Sequence, residues 1–146
     1  MKKSILSTLQ SSIQGEILFD KELTRYYSVD AISYQIIPEL VIIPQNEQDV
    51  ITTIKTAKNF KTSVTVRGAG TGLVGSALNK GIILDIRNFN YCKIHKTHAI
   101  VGPGISKREL DRELERKGKF FPQIHQLDHF VQLEECWETI QVRIGV

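Results

Sequence analysis

A β-branched run that leads directly into a loop with four glycines constrains this chain more than any other feature. The run and the loop occupy residues 64–76 and read Val-Thr-Val-Arg-Gly-Ala-Gly-Thr-Gly-Leu-Val-Gly-Ser. A loop so poor in side chains lets the backbone adopt positive φ and brings its N–H groups close to a ligand. N–H groups that line a concavity bind anions, most often phosphate. The loop therefore predicts a phosphate-binding strand end, with a purely structural turn as the alternative.

The chain that follows the loop argues against the nucleotide-binding folds best known for such glycines. Gly70-x-Gly72-x-x-Gly75 matches the dinucleotide fingerprint, but a Rossmann unit needs a helix directly after the glycines. Only residues 76–80 separate Gly75 from Gly81 and the next apolar run. A parallel crossover takes a dozen or more residues, so a nicotinamide-binding Rossmann protein is disfavoured and Asp85 only imitates the ribose-binding acid. The Walker pattern also fails, because no Gly-Lys-Ser/Thr closes the loop.

A second segment, ahead of the loop, points to another family. Residues 40–50 read Leu-Val-Ile-Ile-Pro-Gln-Asn-Glu-Gln-Asp-Val. Taken together with residues 64–76, they resemble the FAD-binding PCMH-type domain of the vanillyl-alcohol-oxidase superfamily, in its branch of glycolate oxidases and D-lactate dehydrogenases. The pairing is more specific than either part, and the resemblance runs from about Arg25 to Pro122. It implies a flavoprotein, that is, an FAD-linked oxidase or dehydrogenase.

The resemblance also implies where FAD binds. Its diphosphate would lie against residues 67–76, with backbone N–H groups of Gly68 to Gly72 as donors. Arg67 would add positive charge, with a surface ion pair as the alternative, and Pro44 would approach the adenine end. Thr71 stands where covalent relatives that resemble berberine-bridge enzymes carry a histidine, so FAD would be bound non-covalently through this position. The predicted cofactor-binding residues are Pro44, Arg67, Gly68, Ala69, Gly70, Thr71, Gly72, Gly75 and Ser76.

A small parallel layer is predicted to carry the loop. The short apolar runs 40–43, 63–66 and 82–86 are consistent with strands, and the first is consistent with a strand buried on both faces. Asn46 can cap a helix between the first two strands. Its inward face is predicted to carry Val50, Ile51, Ile54 and Ala57. The result is a three-stranded parallel β-α-β layer with the loop at the carboxyl end of one strand, where ligands bind in such sheets.

Helices and antiparallel strands are predicted on either side of this layer. Residues 5–13 repeat apolar side chains at helical spacing, which indicates a short amphipathic helix that covers the domain. Residues 91–97 and 98–101 predict two strands around a turn. Ser106-x-x-Glu109 is a capping box for a helix that Gly118 ends. The predicted fold class is α+β, corresponding to the first half of a PCMH-type FAD-binding domain.

The last residues do not continue the resemblance. In the family, Phe-Phe-Pro leads into PDPS, TIGG and a pair of asparagines, which help to complete the flavin site. Restoring one cytosine at the codon of Pro122, with third bases chosen freely, permits the reading PDPSTGSFCTIGGMLGNN. We therefore expect a helical segment at 1–24, the N-terminal part of the FAD-binding domain at 25–122 and a frameshifted tail at 123–146. The alternative is a genuine C-terminal helix with Leu127, Phe130, Val131, Glu134, Trp137 and Ile140.

Composition limits the partners and the setting. The 19 basic and 16 acidic residues are interspersed and give a net charge of +3, which favours a solvated surface over nucleic-acid binding. Cys92 and Cys136 form neither a metal spacing nor a disulfide framework, so a reduced, cytoplasmic setting is expected. His125 and His129 have metal-like spacing but lie in the suspected frameshift, and no metal is predicted. No apolar run approaches the roughly 20 residues of a membrane span.

The function that these patterns predict is the FAD-binding portion of a flavin-dependent oxidoreductase. The family's substrate and catalytic residues lie beyond Pro122, so no catalytic residue is assigned and an inactive fragment is expected. A small 2-hydroxy acid would be a substrate only in the full-length family. The alternative is a nucleotide-binding or interaction module completed by a partner subunit.

Overall fold

The computed structural model describes residues 2–31, 34–72, 74–121 and 140–143. The chain divides into two units, Met1–Asn88 and Phe89–Val146. Each unit holds one sheet, of four and three strands respectively. The predicted α+β class is confirmed, with parallel strands in the first unit and antiparallel strands in the second.

A mixed sheet organises the first unit. Its strands are β1 (Glu16–Leu18), β2 (Leu40–Ile43), β3 (Val64–Arg67) and β4 (Ile82–Asp85), in the spatial order β1-β2-β4-β3. The last three are parallel, as predicted, and β1 pairs antiparallel with β2. The sequence did not predict β1, because three residues are too few to show an alternating pattern.

The central strands β2 and β4 are buried on both faces. Residues 40–42 and 82–84 are at most 1% exposed, as the continuous apolar runs predicted. On one face Tyr27 and Leu18 pack against these strands. Successive side chains of a strand alternate between faces, so other residues of the same strands face the opposite side. There Ile5 lies near Leu40 and Ile82.

Three helices and one turn surround this sheet. They are α1 (Lys2–Gln10), α2 (Lys21–Arg25), a 3₁₀ turn (Tyr26–Ser28) and α3 (Glu47–Asn59). The amphipathic α1 was predicted, and its Ile5 and Leu9 are buried. Asn46 caps α3 as predicted, since its side chain accepts a hydrogen bond from the backbone N–H of Asp49 at 3.0 Å.

The predicted inward face of α3 was wrong in part. Ile51 and Ile54 are 43% and 40% exposed, although Ala57 is buried. The carboxylate of Asp49 accepts hydrogen bonds from backbone N–H groups outside the helix, and Thr53 Oγ1 donates to the Asp49 carbonyl at 2.8 Å. These bonds satisfy polar groups inside the unit and turn a partly polar face towards the sheet. The buried residues of α3 are Asp49, Thr53, Thr56 and Ala57.

The described part of the second unit is an antiparallel sheet with one helix against it. Strands β5 (Cys92–Ile94), β6 (His98–Val101) and β7 (Ile140–Arg143) lie in that order, and α4 spans Lys107–Glu115. The β5–β6 hairpin was predicted. So was the capping box of α4, in which Ser106 and Glu109 bond reciprocally. Gly118 ends the helix with a φ of +64°, and the N–H of Lys119 donates to the Leu114 carbonyl at 3.0 Å.

Most of the suspected frameshift lies outside the described residues. Residues 140–143 form β7, with Ile140 paired to Val101, so the alternative C-terminal helix does not extend to Ile140. Residues 122–139 and 144–146 are among those not described, and the frameshifted tail stays a prediction. In the described part of the chain, no helix is both long and apolar enough to cross a membrane.

Candidate functional site

The glycine loop begins at the carboxyl end of β3. Because β2, β3 and β4 are parallel, the residues that follow them, Pro44, Gly68 and Ile86, lie along the same edge of the sheet. Arg67 pairs with Asp85 in the last rung, and the N–H of Ile86 donates to the Arg67 carbonyl at 3.1 Å. The structure therefore brings the predicted residue Pro44 and the predicted loop to one edge.

Positive φ angles give the loop its shape. Gly70, Val74 and Gly75 have φ of +73°, +59° and +77°. Gly70 is doubly required, because a Cβ on it would collide with the guanidinium of Arg67. A Cβ on Gly72 would likewise collide with Ser76 Oγ. Gly70 and Gly72 are thus required by close packing, the first against the Arg67 side chain before the loop and the second against the Ser76 side chain at its end.

The loop leaves consecutive backbone donors open. Among the described residues, the backbone N–H groups of Gly70, Thr71 and Gly72 have no hydrogen-bond acceptor, and this is what open means here. By contrast, the N–H of Gly75 donates to Asp30 Oδ2 at 2.9 Å. Successive open N–H groups with positive φ among them are the arrangement that binds anions. Gly75, which the sequence placed among the cofactor-binding residues, therefore has a bond inside the protein.

Arg67 lies beneath the loop and is 6% exposed. Its Nη1 donates to the carbonyls of Tyr27 at 3.3 Å and Ala77 at 3.2 Å, and its Nη2 donates to the Val29 carbonyl at 3.0 Å. The alternative of a surface ion pair was wrong. Burial lowers the pKa of the Arg67 guanidinium, but arginine stays protonated in proteins. Its charge can act on the loop only from below.

A buried tyrosine joins two arginines and an aspartate beside the loop. The hydroxyl of Tyr27 donates to Asp85 Oδ2 at 2.8 Å, and Arg87 pairs with the same carboxylate through Nε at 3.0 Å. The guanidinium carbons of Arg67 and Arg87 lie 5.7 and 6.0 Å from the Tyr27 ring centroid. Burial, with the Asp85 hydrogen bond, raises the pKa of Tyr27 to about 12. Hydrogen bonds to Asp85 raise the pKa of Arg87.

Sequence reasoning missed this cluster. Asp85 was considered only as an imitation of a ribose-binding acid, yet it is 1% exposed. An ionised carboxylate at the end of a buried apolar run must be paired. Arg87, two residues later, was the signal that could have identified the pair.

A second buried carboxylate fixes the loop after β2. Asp49, 2% exposed, accepts hydrogen bonds from the backbone N–H groups of Gln14 at 2.9 Å, Gly15 at 2.8 Å and Gln45 at 2.9 Å. The sequence pattern had assigned Asp49 only to the first turn of α3. The position of Pro44, immediately before Gln45, therefore depends on Asp49.

The remaining predicted site residues differ in accessibility. Ala69 and Ser76 are exposed, Thr71 and Gly72 are half-buried, and Gly68 and Pro44 are buried. Because backbone N–H groups rather than side chains were the predicted donors of Gly68 to Gly72, this burial does not conflict with the prediction.

Histidines and cysteines form no second site among the described residues. His95 and His98 stack with ring centroids 4.6 Å apart, which is cross-strand packing in the β5–β6 hairpin. The described ranges contain no group of three His, Cys, Asp or Glu that could hold a metal, and His125 and His129 fall outside them. Burial raises the pKa of the Cys92 thiol, which disfavours the reactive thiolate form.

A parallel β-α-β layer with an open glycine loop at its carboxyl edge and a separate antiparallel sheet is the architecture of the first part of PCMH-type flavoprotein domains. The family model described as FAD binding domain matches residues 38–131. The chain belongs to this FAD-binding domain family.

Relatives in three groups of dehydrogenases and oxidases support the same branch. Over 92 residues the chain is 35% identical to the glycolate oxidase subunit GlcD of Escherichia coli, covering 60% of this chain and 18% of the relative. It is 36% identical over 101 residues to the D-2-hydroxyglutarate dehydrogenase of the same species, covering 64% and 10%. It is 26% identical over 128 residues to the mitochondrial D-lactate dehydrogenase [cytochrome] of Arabidopsis thaliana, covering 82% and 23%.

Solved structures agree on the fold. An alkyldihydroxyacetonephosphate synthase superposes with a TM-score of 0.77 at 18% identity, over 90% of this chain and 28% of that one. The 6-hydroxy-D-nicotine oxidase of Arthrobacter nicotinovorans superposes with a TM-score of 0.70 at 27% identity, over 82% and 28%. The resemblance inferred from residues 40–50 and 64–76 is therefore confirmed. The match to the three relatives above spans less than a quarter of each relative's own length.

Proposed function

We propose that this chain is the FAD-binding portion of a flavin-dependent dehydrogenase of 2-hydroxy acids, and that its glycine loop holds the FAD diphosphate. One observation carries the placement: the consecutive open N–H groups of Gly70, Thr71 and Gly72 lie at the carboxyl edge of the sheet. A diphosphate is the part of FAD that such donors bind. The buried guanidinium of Arg67 supports the same anion from beneath.

The roles of the site residues follow from their exposure. The backbone N–H groups of Gly70, Thr71 and Gly72 would donate to phosphate oxygens, and the exposed hydroxyl of Ser76 would join them. Pro44 would border the adenine end. Gly75 would act indirectly, by holding the loop, whereas Arg67 would both hold the loop and add positive charge beneath the anion. The bound flavin supplies hydride acceptance, whereas these residues only bind and orient it.

Attachment of FAD is proposed to be non-covalent at this loop. Thr71 occupies the position where a histidine would form the covalent bond in relatives resembling berberine-bridge enzymes. A threonine hydroxyl has no imidazole nitrogen with which to form that bond. Denaturation of a reconstituted sample is therefore expected to release all of its FAD.

The substrate class rests on the relatives alone. Glycolate, D-lactate and D-2-hydroxyglutarate, in the names of the three relatives above, are all 2-hydroxy acids. None of the site residues of this chain is assigned to that substrate. The oxidation is therefore proposed for the longer proteins of this branch.

The second candidate is a module completed by a partner polypeptide that supplies the rest of a flavin site. Co-purification with a polypeptide that carries a TIGG-type segment would support it. For either candidate we propose a cytoplasmic location, on the sparse cysteines of the chain.

A titration of the ¹⁵N-labelled chain with ADP and FAD tests the placement. We expect weak binding, with Kd on the order of 0.1–1 mM, and amide shifts concentrated at Gly68 to Gly72. Gly70→Ala is expected to abolish these shifts, because its Cβ would collide with Arg67 and its φ is +73°. The matched control is Gly118→Ala, which has a φ of +64° and open space around it. Shifts spread evenly over the chain, or absent from the loop at 5 mM ligand (about ten times the expected Kd), would overturn the placement.

A further inference from the structure

The short segment from Tyr27 to Asp30 bonds to the glycine loop at both of its ends. At the start of the loop, Arg67 donates to the carbonyls of Tyr27 and Val29. Near its other end, Asp30 Oδ2 accepts from the N–H of Gly75 at 2.9 Å. The loop is therefore clamped by a segment that precedes it by about 40 residues, since the Asp30–Gly75 bond spans 45 positions.

That segment is itself fixed to the sheet. Tyr27 is 5% exposed and bonded to Asp85, and Ser28 is fully buried, with its carbonyl accepting from the N–H of Ile36 at 2.8 Å. Val29 forms an isolated antiparallel bridge with Gln35. A clamp can order a loop only if it is held more firmly than the loop, and these bonds meet that condition.

We propose that Asp30 is a positioning residue for cofactor binding, which holds Gly75 so that the N–H groups of Gly70 to Gly72 stay open in the geometry that receives a diphosphate. This inference deepens the proposed function and rests on it. The bond is charge-assisted and therefore stronger than a neutral hydrogen bond. It also keeps the Gly75 N–H from the ligand, so Asp30 sets both the shape of the loop and the number of donors it presents.

The benefit to binding is entropic. Fixing the backbone of one residue costs about 1–2 kcal/mol, and a loop ordered before the ligand arrives does not incur that loss on binding. Removal of the Asp30 carboxylate is expected to leave the sheet intact, because Asp30 is half-buried and lies outside the core. The change removes the acceptor of the Gly75 N–H and also that of the Tyr34 N–H, which donates to Asp30 Oδ1 at 3.2 Å, so the loop and the backbone at Tyr34 would gain freedom.

The test compares three variants of the full chain without ligand and with ADP. Asp30→Ala removes the acceptor, and Asp30→Asn keeps an oxygen in the same place. Asp20→Ala is the matched control, because Asp20 also accepts from a backbone N–H, that of Glu22 at 2.7 Å, but caps α2 instead. We expect ¹⁵N order parameters at Gly70, Thr71 and Gly72 to fall from about 0.85 to below about 0.6 in Asp30→Ala only. Asp30→Asn is expected to restore most of the wild-type value.

With ADP, Asp30→Ala is expected to raise Kd at least tenfold, whereas Asp30→Asn stays within about threefold and Asp20→Ala matches the wild type. Unchanged order parameters in Asp30→Ala, or a loosened loop that binds ADP as well as before, would overturn the inference. If Asp30→Ala fails to fold, Asp30→Ser, which is too short to reach Gly75, takes its place. A loop that loosens as expected in a chain whose wild type binds neither ADP nor FAD would reject the proposed function and leave Asp30 as a determinant of loop structure.

Discussion

Buried charged side chains determine the geometry of the ligand edge residue by residue. Asp85 fixes Tyr27, Asp49 fixes Gln45, and Arg67 gathers three carbonyls beneath the loop. The turn with positive φ after β3 was predictable from sequence, because a run so rich in glycine favours that backbone conformation. The partners of Asp49 and Arg67 were not, because they are backbone groups distant along the chain. Asp49, for example, bonds to Gln14, 35 positions away.

Tyr27→Phe tests the tyrosine cluster. At neutral pH we expect a loss of about 1 kcal/mol in the free energy of unfolding, for one hydrogen bond to Asp85. The raised pKa of about 12 means that the folded state holds the phenolic proton more tightly than the unfolded chain. Stability that depends on this proton is thus intact below about pH 10 and is lost between about pH 10 and 12, by about 2 kcal/mol at most. Urea unfolding across this range measures it.

The control for this experiment is Tyr26→Phe, since Tyr26 is 69% exposed. It is expected to keep the wild-type stability at neutral pH and the wild-type slope between pH 10 and 12. A Tyr27→Phe protein with the same alkaline slope as wild type would show that Tyr27 does not titrate in the way its burial implies.

At the scale of helices and strands, local sequence patterns correctly predicted the features that depend on residues close together in the sequence. Helix α4 has its capping box and the β5–β6 hairpin has its turn as expected, because each is set by residues a few positions apart. The inward face of α3 could not be predicted from apolar spacing. Asp49 and Thr53 are buried instead of Ile51 and Ile54, because Asp49 bonds to backbone groups outside the helix and Thr53 bonds to the Asp49 carbonyl. The strand β1 depends wholly on its pairing with β2.

Ser106→Ala tests the capping box of α4. We expect a loss of about 1 kcal/mol in the free energy of unfolding, because the Glu109 backbone N–H loses its acceptor, Ser106 Oγ, and the Glu109 carboxylate loses the donor hydroxyl. Hydrogen bonds from the Ser106 side chain and backbone lower the pKa of Glu109. Their stabilisation is therefore present above the ordinary Glu pKa near 4.3 and is lost as pH falls through the lower, folded-state value. Thermal unfolding at pH 7 and at pH 3 measures both effects.

Ser7→Ala provides the comparison, because Ser7 Oγ donates only to the Ser4 carbonyl within the exposed face of α1. Its effect on stability should stay within about 0.5 kcal/mol. A Ser106→Ala variant that is no less stable than Ser7→Ala would contradict the role assigned to the cap.

At the scale of the whole molecule, the match to known relatives is partial. The match covers 18% of the glycolate oxidase subunit and 23% of the plant D-lactate dehydrogenase. The family and the FAD-binding fold were recognisable from residues 40–50 and 64–76, because the pairing of the two motifs is more specific than either one. The substrate could not be recognised from the sequence, because no residue of the segment 25–122 matches a substrate-binding residue of the family.

We expect the purified chain, supplied with FAD and an artificial electron acceptor, not to oxidise D-lactate or glycolate. The reason is that the resemblance implies that the family's substrate-binding and catalytic residues lie beyond Pro122. Reduction of a dye acceptor, followed by absorbance, is the measurement, with a full-length member of the branch as the positive control. Turnover above the rate without protein would refute this expectation.

The burial of Arg67 has one more consequence, for the response of the loop to salt. Its guanidinium bonds to three neutral carbonyls and is almost wholly withdrawn from solvent. At 0.1 M ionic strength, mobile ions largely screen the interaction between exposed charges that lie more than about 10 Å apart, but they screen the interactions of buried charges far less. The attraction that Arg67 exerts on an anion above the loop should therefore persist in concentrated salt, where attraction by surface lysines would fade.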